Sequence, residues 1–151
     1  MLHIALVEPE IPPNTGNIAR LCAATFTRLH IVGVPGFRMD ERAVKRAGLD
    51  YWDDVDLRRH RNIAGLYESL PDSRFLYVET GGARIYSDWQ FLAEDCLIFG
   101  RETKGLPPEL LRENANRVLQ IPMPNQNVRS LNLANSVAIV LYEALRQINA
   151  K

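Results

Sequence analysis

The 151-residue chain is short of cysteine and histidine and has no excess of either charge. Each shortage narrows what it can be. Its two cysteines, Cys22 and Cys96, sit inside apolar segments. They read as buried thiols of a reducing compartment, because a disulfide framework or a cysteine metal site needs more partners. The three histidines, His3, His30 and His60, show none of the short spacings of a metal site, so no metal is expected. Eighteen basic residues balance eighteen acidic ones. Zero formal charge argues against indiscriminate nucleic-acid binding, so any RNA contact has to come from a local patch. No apolar run approaches the ~20 residues of a membrane helix, and no membrane span is expected. The start, Met1-Leu2-His3-Ile4, lacks a basic n-region and a cleavage site, so no signal peptide and a cytoplasmic location are expected. There is no Gly-x-Ser-x-Gly elbow, no GxGxxG fingerprint and no P-loop.

What is present describes an ordinary folded domain. The hydrophobic fraction is 46% and the charged fraction 24%, as in soluble globular proteins. The length suits one domain over residues 1–151, long enough to hide roughly 70% of its unfolded surface. Apolar runs alternate with helical patterns. Strands are predicted at residues 2–7, 29–34, 74–78, 96–99 and 118–121. Helices are predicted at 15–25, 40–47, 62–70, 107–114 and 131–148. The 40–47 helix carries acids at its start and Arg42, Lys45 and Arg46 later, matching the helix dipole. Such alternation predicts an α/β domain with a mostly parallel sheet and helices on both faces.

The last helix is apolar most of the way round. Val137, Val140, Leu141, Ala144, Leu145 and Ile148 form one stripe, and Ala138, Ile139 and Tyr142 widen it. Such a helix is buried on more than one side. The second side is either another subunit or the interior of the same chain.

Three segments carry polar residues where packing does not need them. In the first, Asn14-Thr15-Gly16-Asn17-Ile18-Ala19-Arg20, Arg20 lies about 200° from Ile18 around a helix and so points away from the apolar stripe. Read alone, it is a surface arginine or a ligand contact. In the second, Gly100-Arg101-Glu102-Thr103-Lys104-Gly105, two glycines bracket a turn at the C-terminal end of a strand. Ligands of open α/β sheets bind at that edge, and glycine lets the backbone approach closely. The third, residues 121–132, is polar and proline-bearing and runs from a strand into the last helix. Its backbone groups and the apolar Ile121, Met123 and Leu131 suit a ligand slot, and loops of this kind bind more often than they pack.

These three segments, in this order, resemble the motifs of the SpoU (TrmH-like) branch of the SPOUT RNA methyltransferases. Glu8-Pro9-Glu10-Ile11-Pro12-Pro13-Asn14-Thr15-Gly16-Asn17 and Arg46-Ala47-Gly48-Leu49-Asp50-Tyr51 draw the likeness toward the small tRNA (cytidine(34)-2'-O)-methyltransferase group. The likeness covers nearly the whole chain. It implies a C-terminal trefoil knot, an S-adenosyl-L-methionine cofactor, the anticodon loop of tRNA as substrate and a homodimer. By resemblance, Asn14, Arg20, Glu102, Ser130 and Asn132 are catalytic or site-forming, and Val78, Gly100, Ile121 and Ser130 contact the cofactor. The chain departs from the family pattern at residues 124–128, and nothing is carried over there.

An RNA-facing patch could be built from Arg42, Lys45 and Arg46 with Arg58, Arg59 and Arg61, or these could be a solvated face. Asp50, Asp53, Asp54 and Asp56 intervene and offset part of the field. Three alternatives stay open: a nucleotide-binding module without catalysis, an interaction domain without a cofactor, and a ribose methyltransferase of another RNA such as rRNA.

Overall fold

Most of the predicted runs become the expected elements. A computed structural model describes residues 1–39 and 50–149. Among these, seven strands form: β1 (His3–Val7), β2 (Arg28–Val32), β3 (Leu57–His60), β4 (Phe75–Val78), β5 (Arg84–Ile85), β6 (Cys96–Phe99) and β7 (Val118–Gln120). Four α-helices accompany them: α1 (Pro12–Thr25), α2 (Ile63–Ser69), α3 (Pro108–Glu113) and α4 (Leu133–Asn149). The strands make one sheet of order β3-β2-β1-β6-β4-β7-β5, and every pairing is parallel.

Strands β4 and β6 are apolar at every position, and β1 at every position but His3, because both faces are covered. On one face, Ile4, Leu6, Leu29, Ile31, Leu97 and Phe99 meet Ile18 and Cys22 of α1 and Val137, Val140, Leu141 and Ala144 of α4. On the other, Ala5, Val32, Tyr77 and Ile98 meet Leu66 of α2 and Leu110 and Leu111 of α3. Cys22 and Cys96 are buried free thiols, and burial pushes the Cys22 thiol up to about 12. No helix among the described residues is long and apolar enough to cross a membrane.

Three details differ from the sequence expectation. Helix α1 starts at Pro12, not near residue 15, because Pro12 and Pro13 occupy its first positions, where the missing N–H groups cost nothing. Asn14 therefore sits inside the first turn. Strand β3 was legible only as an arginine cluster; it is an edge strand, and charge is tolerated on an edge. Strand β5 has two residues, too few for any periodicity. The helix expected at residues 40–47, with Arg42, Lys45 and Arg46, lies outside the described residues.

Candidate functional site

Strands β4, β6 and β7 are neighbours, so the loops that leave their C-terminal ends converge. They enclose a cavity of about 600 Å³ together with the start of α1 and the entry to α4. Seven of the predicted site residues line it: Asn14, Val78, Gly100, Glu102, Ile121, Ser130 and Asn132. Arg20 does not. It lies on the exposed face of α1, six residues beyond Asn14 and so about 9 Å further along the helix axis.

A hydrogen-bonded chain joins the three polar segments. Helix α1 has no side-chain cap of its own, since Ile11 precedes it. Glu102 takes that role from another loop: its carboxylate accepts the backbone N–H of Glu10 at 2.9 Å and of Ile11 at 3.1 Å. Negative charge at a helix N-terminus is also favoured by the dipole. Asn14 Nδ2 donates to the same carboxylate at 3.4 Å, and Asn132 Nδ2 donates to Asn14 Oδ1 at 3.0 Å. Asn132 in turn caps α4, its Oδ1 accepting the Asn135 N–H at 3.1 Å. Two further clasps hold the same loops. Arg101 pairs with Glu8, and Glu10 accepts both the backbone N–H and the hydroxyl of Thr103.

The glycines of the second segment are needed for close approach. Gly105 has φ +67°, and a Cβ there would lie 2.5 Å from a Glu79 carboxylate oxygen. A Cβ on Gly100 would overlap the Gly105 carbonyl carbon. Between them, Arg101 and Gly105 exchange backbone hydrogen bonds at 3.2 and 2.9 Å. Glu79 secures the far end of this turn by accepting the Leu106 N–H at 2.7 Å. It also lines the cavity. The sequence reading missed it, although an acidic residue directly after an apolar strand is a visible signal of something held at that edge.

The two ends of the third segment, Ile121 and Met123 at one and Arg129 to Asn132 at the other, line the cavity. Asn125 Oδ1 accepts the Asn127 N–H at 3.0 Å, an Asx turn within the stretch that departs from the family pattern. Arg129 reaches the Thr103 carbonyl at 3.4 Å. Apolar Val78, Ile121, Met123, Leu131 and Leu133 share the cavity wall with the cationic Arg101, Lys104 and Arg129 and the acidic Glu79 and Glu102. Among the described residues, no group of three His, Cys, Asp or Glu side chains could hold a metal ion.

An apolar slot at the C-terminal edge of a parallel sheet, with its polar groups already oriented, is where open α/β sheets take their ligands. The SpoU rRNA methylase family model matches residues 1–142, and the chain belongs to that family. It is 50% identical over 153 residues to a tRNA (cytidine(34)-2'-O)-methyltransferase of Acidovorax sp. strain JS42, covering 97% of this chain and 92% of the relative. It is 46% identical to the protein of the same name from Aeromonas hydrophila, over 98% of this chain and 95% of that one. A solved structure described as "Structural insights into the 2-OH methylation of C/U34 on tRNA" superposes with a TM-score of 0.92 at 44% identity, covering 100% of this chain and 98% of the other. An AdoMet-bound rRNA methyltransferase from Sinorhizobium meliloti superposes with a TM-score of 0.81 at 26% identity, over 96% of this chain and 56% of that one.

Proposed function

We propose that this chain is an S-adenosylmethionine-dependent methyltransferase acting on the ribose 2'-hydroxyl of tRNA nucleotide 34, and that it works as a homodimer. The observation that carries the reading is the Glu102–Asn14–Asn132 chain, which ties all three family motifs around one cavity. Relatives of 46 and 50% identity over nearly the full length bear that activity in their names, which supports the same substrate. The C-terminal trefoil knot belongs to this reading as well.

The cavity fits the cofactor. Its volume is that of a small-molecule site, and its wall offers an apolar slot beside backbone at Gly100 and Ile121. S-adenosylmethionine, when bound, supplies a methyl carbon made electrophilic by its sulfonium. Val78, Gly100, Ile121 and Ser130 hold it; Asn14 and Asn132, each fixed by two hydrogen bonds, keep the start of α1 against the site. Positioning of this kind can supply ~7–11 kcal/mol of a barrier. Arg20 orients the 2'-hydroxyl and an adjacent phosphate and stabilises the alkoxide charge that develops. It is not the base, because a guanidinium stays protonated with pKa above ~12. Since Arg20 is not on the cavity of its own chain, it serves the cavity of the second copy. Arg58, Arg59 and Arg61, on and beside edge strand β3, form part of the RNA-facing patch.

The test is mass spectrometry of nucleosides from tRNA of a deletion strain, before and after incubation with the purified protein and S-adenosylmethionine. A 2'-O-methyl group should be missing at nucleotide 34 and be restored. Arg20→Ala should lose this activity while keeping the thermal shift that the cofactor induces. Unaltered tRNA with a missing rRNA ribose methyl would move the activity to another RNA.

A further inference from the structure

Arg20 makes no ion pair among the described residues. An exposed arginine without a partner samples many rotamers and would be a poor device for orienting a hydroxyl. What holds it is an aromatic ring. The guanidinium carbon lies 5.8 Å from the centroid of Tyr51, within cation–π range. The Tyr51 hydroxyl donates to the Gly16 carbonyl at 3.0 Å. Gly16 and Arg20 are four residues apart on α1 and so stand one above the other on the same face. Tyr51 is therefore fastened to that face twice, by its hydroxyl at one turn and by its ring under Arg20 at the next. The ring is half-buried against the main core, and its own carbonyl accepts the Asp54 N–H at 3.0 Å at the start of a 3-10 turn. The ring thus restrains Arg20 without neutralising it or occupying its five N–H donors as a carboxylate would.

The neighbourhood is also left open. A Cβ on Gly16 would meet none of the described residues within 4 Å. Glycine is unfavourable inside a helix, and packing among the described residues does not call for it here. Its effect is to clear the face beside Arg20 for something from outside.

We propose that Tyr51 is a positioning residue for methyl transfer, holding the Arg20 guanidinium over the open Gly16 face of α1, where the ribose and phosphate of the RNA arrive. This rests on Arg20 being the group that meets the ribose. Tyr51 touches neither cofactor nor substrate; it acts through Arg20.

The experiment compares Tyr51→Leu, Tyr51→Phe, Arg20→Ala and the double variant Arg20→Ala/Tyr51→Leu, each measured for kcat, KM for tRNA, cofactor affinity and dimer content. Tyr51→Leu should lower kcat by about 10–100-fold, the size of effect a small misplacement produces, with cofactor affinity unchanged. Tyr51→Phe keeps the ring and should recover most of that loss, and it remains a usable comparison if the leucine variant folds poorly. In the Arg20→Ala background, Tyr51→Leu should cost nothing more. A Tyr51→Leu enzyme within twofold of wild-type kcat overturns the proposal, and so does an equal loss in both backgrounds, which would mark Tyr51 as merely structural. Arg20→Ala with near-normal turnover overturns the assignment of Arg20 itself, a separate result seen without any Tyr51 variant.

Discussion

Asn132 donates through Nδ2 to Oδ1 of Asn14, 118 residues earlier in the chain, at 3.0 Å. Each partner is engaged at its other end, Asn132 as the cap of α4 and Asn14 on the Glu102 carboxylate. The starts of two helices and the loop after β6 are therefore a single unit, and the cavity has one shape rather than three independent walls.

Glu102 is the centre of that unit. Glu102→Ala would leave the Glu10 and Ile11 N–H groups without their acceptor and should cost about 1–2 kcal/mol, as lost helix caps do. Glu102→Gln keeps one acceptor oxygen and should fall between. Denaturant unfolding reads the stability and titration calorimetry the cofactor affinity, and both should fall together. A Glu102→Ala protein of wild-type stability would remove Glu102 from its place as the α1 cap.

The two glycines of the turn allow a sharper test. Gly100→Ala places a methyl on the Gly105 carbonyl carbon, so backbone must move. Gly105→Ala adds strain at φ +67° and pushes on Glu79. Each should weaken cofactor binding by about tenfold or more, the equivalent of about 1.4 kcal/mol. Calorimetry on folded variants decides it; wild-type affinity in Gly100→Ala would mean that this turn does not contact the cofactor.

Acid should destabilise the protein for a reason outside the site. His30 sits between His3 at 3.1 Å and His60 at 2.8 Å, and Glu94 stands 3.2 Å beyond His3. Burial lowers all three imidazoles, His30 to about 3 from the usual 6.5. Between those values the unfolded chain binds more protons than the folded one. Stability is therefore fully present above about pH 6.5 and is lost as pH falls toward 3, by up to about 1.4 kcal/mol per pH unit for His30. Glu94 adds the same sign lower down, since the terminal amine and His3 hold its carboxyl below the usual range. Urea unfolding at pH 7.5 and pH 5 should show the loss, and His30→Gln should flatten the slope.

The surface around α4 bears on assembly. Tyr142 is 55% exposed and Ile139 37%, on a helix that packs beside α1. Phe26, the left-handed cap of α1, is 87% exposed. A symmetric homodimer would cover such a face. Tyr142→Asp would bury a charge there at a cost of several kcal/mol and should favour monomer, with activity falling in step. Light scattering and turnover on the same samples decide this. A fully active wild-type monomer would remove both the dimer and the shared site.

Local pattern was enough for much of this protein. Apolar runs such as residues 96–99 and the stripe on α4 carry their own periodicity, and alternation of the two kinds of element implies a parallel sheet covered on both faces. Asn14, Glu102, Ser130 and Asn132 were visible because they are polar residues in motif order. Strand order was not visible, since placing β6 between β1 and β4 is a matter of long-range pairing that leaves no trace in a window of ten residues. The histidine ladder was hidden for the same reason, its members being 27 and 30 residues apart, and although Glu79 stands visibly after an apolar strand, its partner Leu106 is 27 residues away. Only the tertiary structure put Arg20 outside the cavity of its own chain and laid Tyr51 beneath it, because the direction in which a side chain on one helix face can act depends on what the fold stacks against that face.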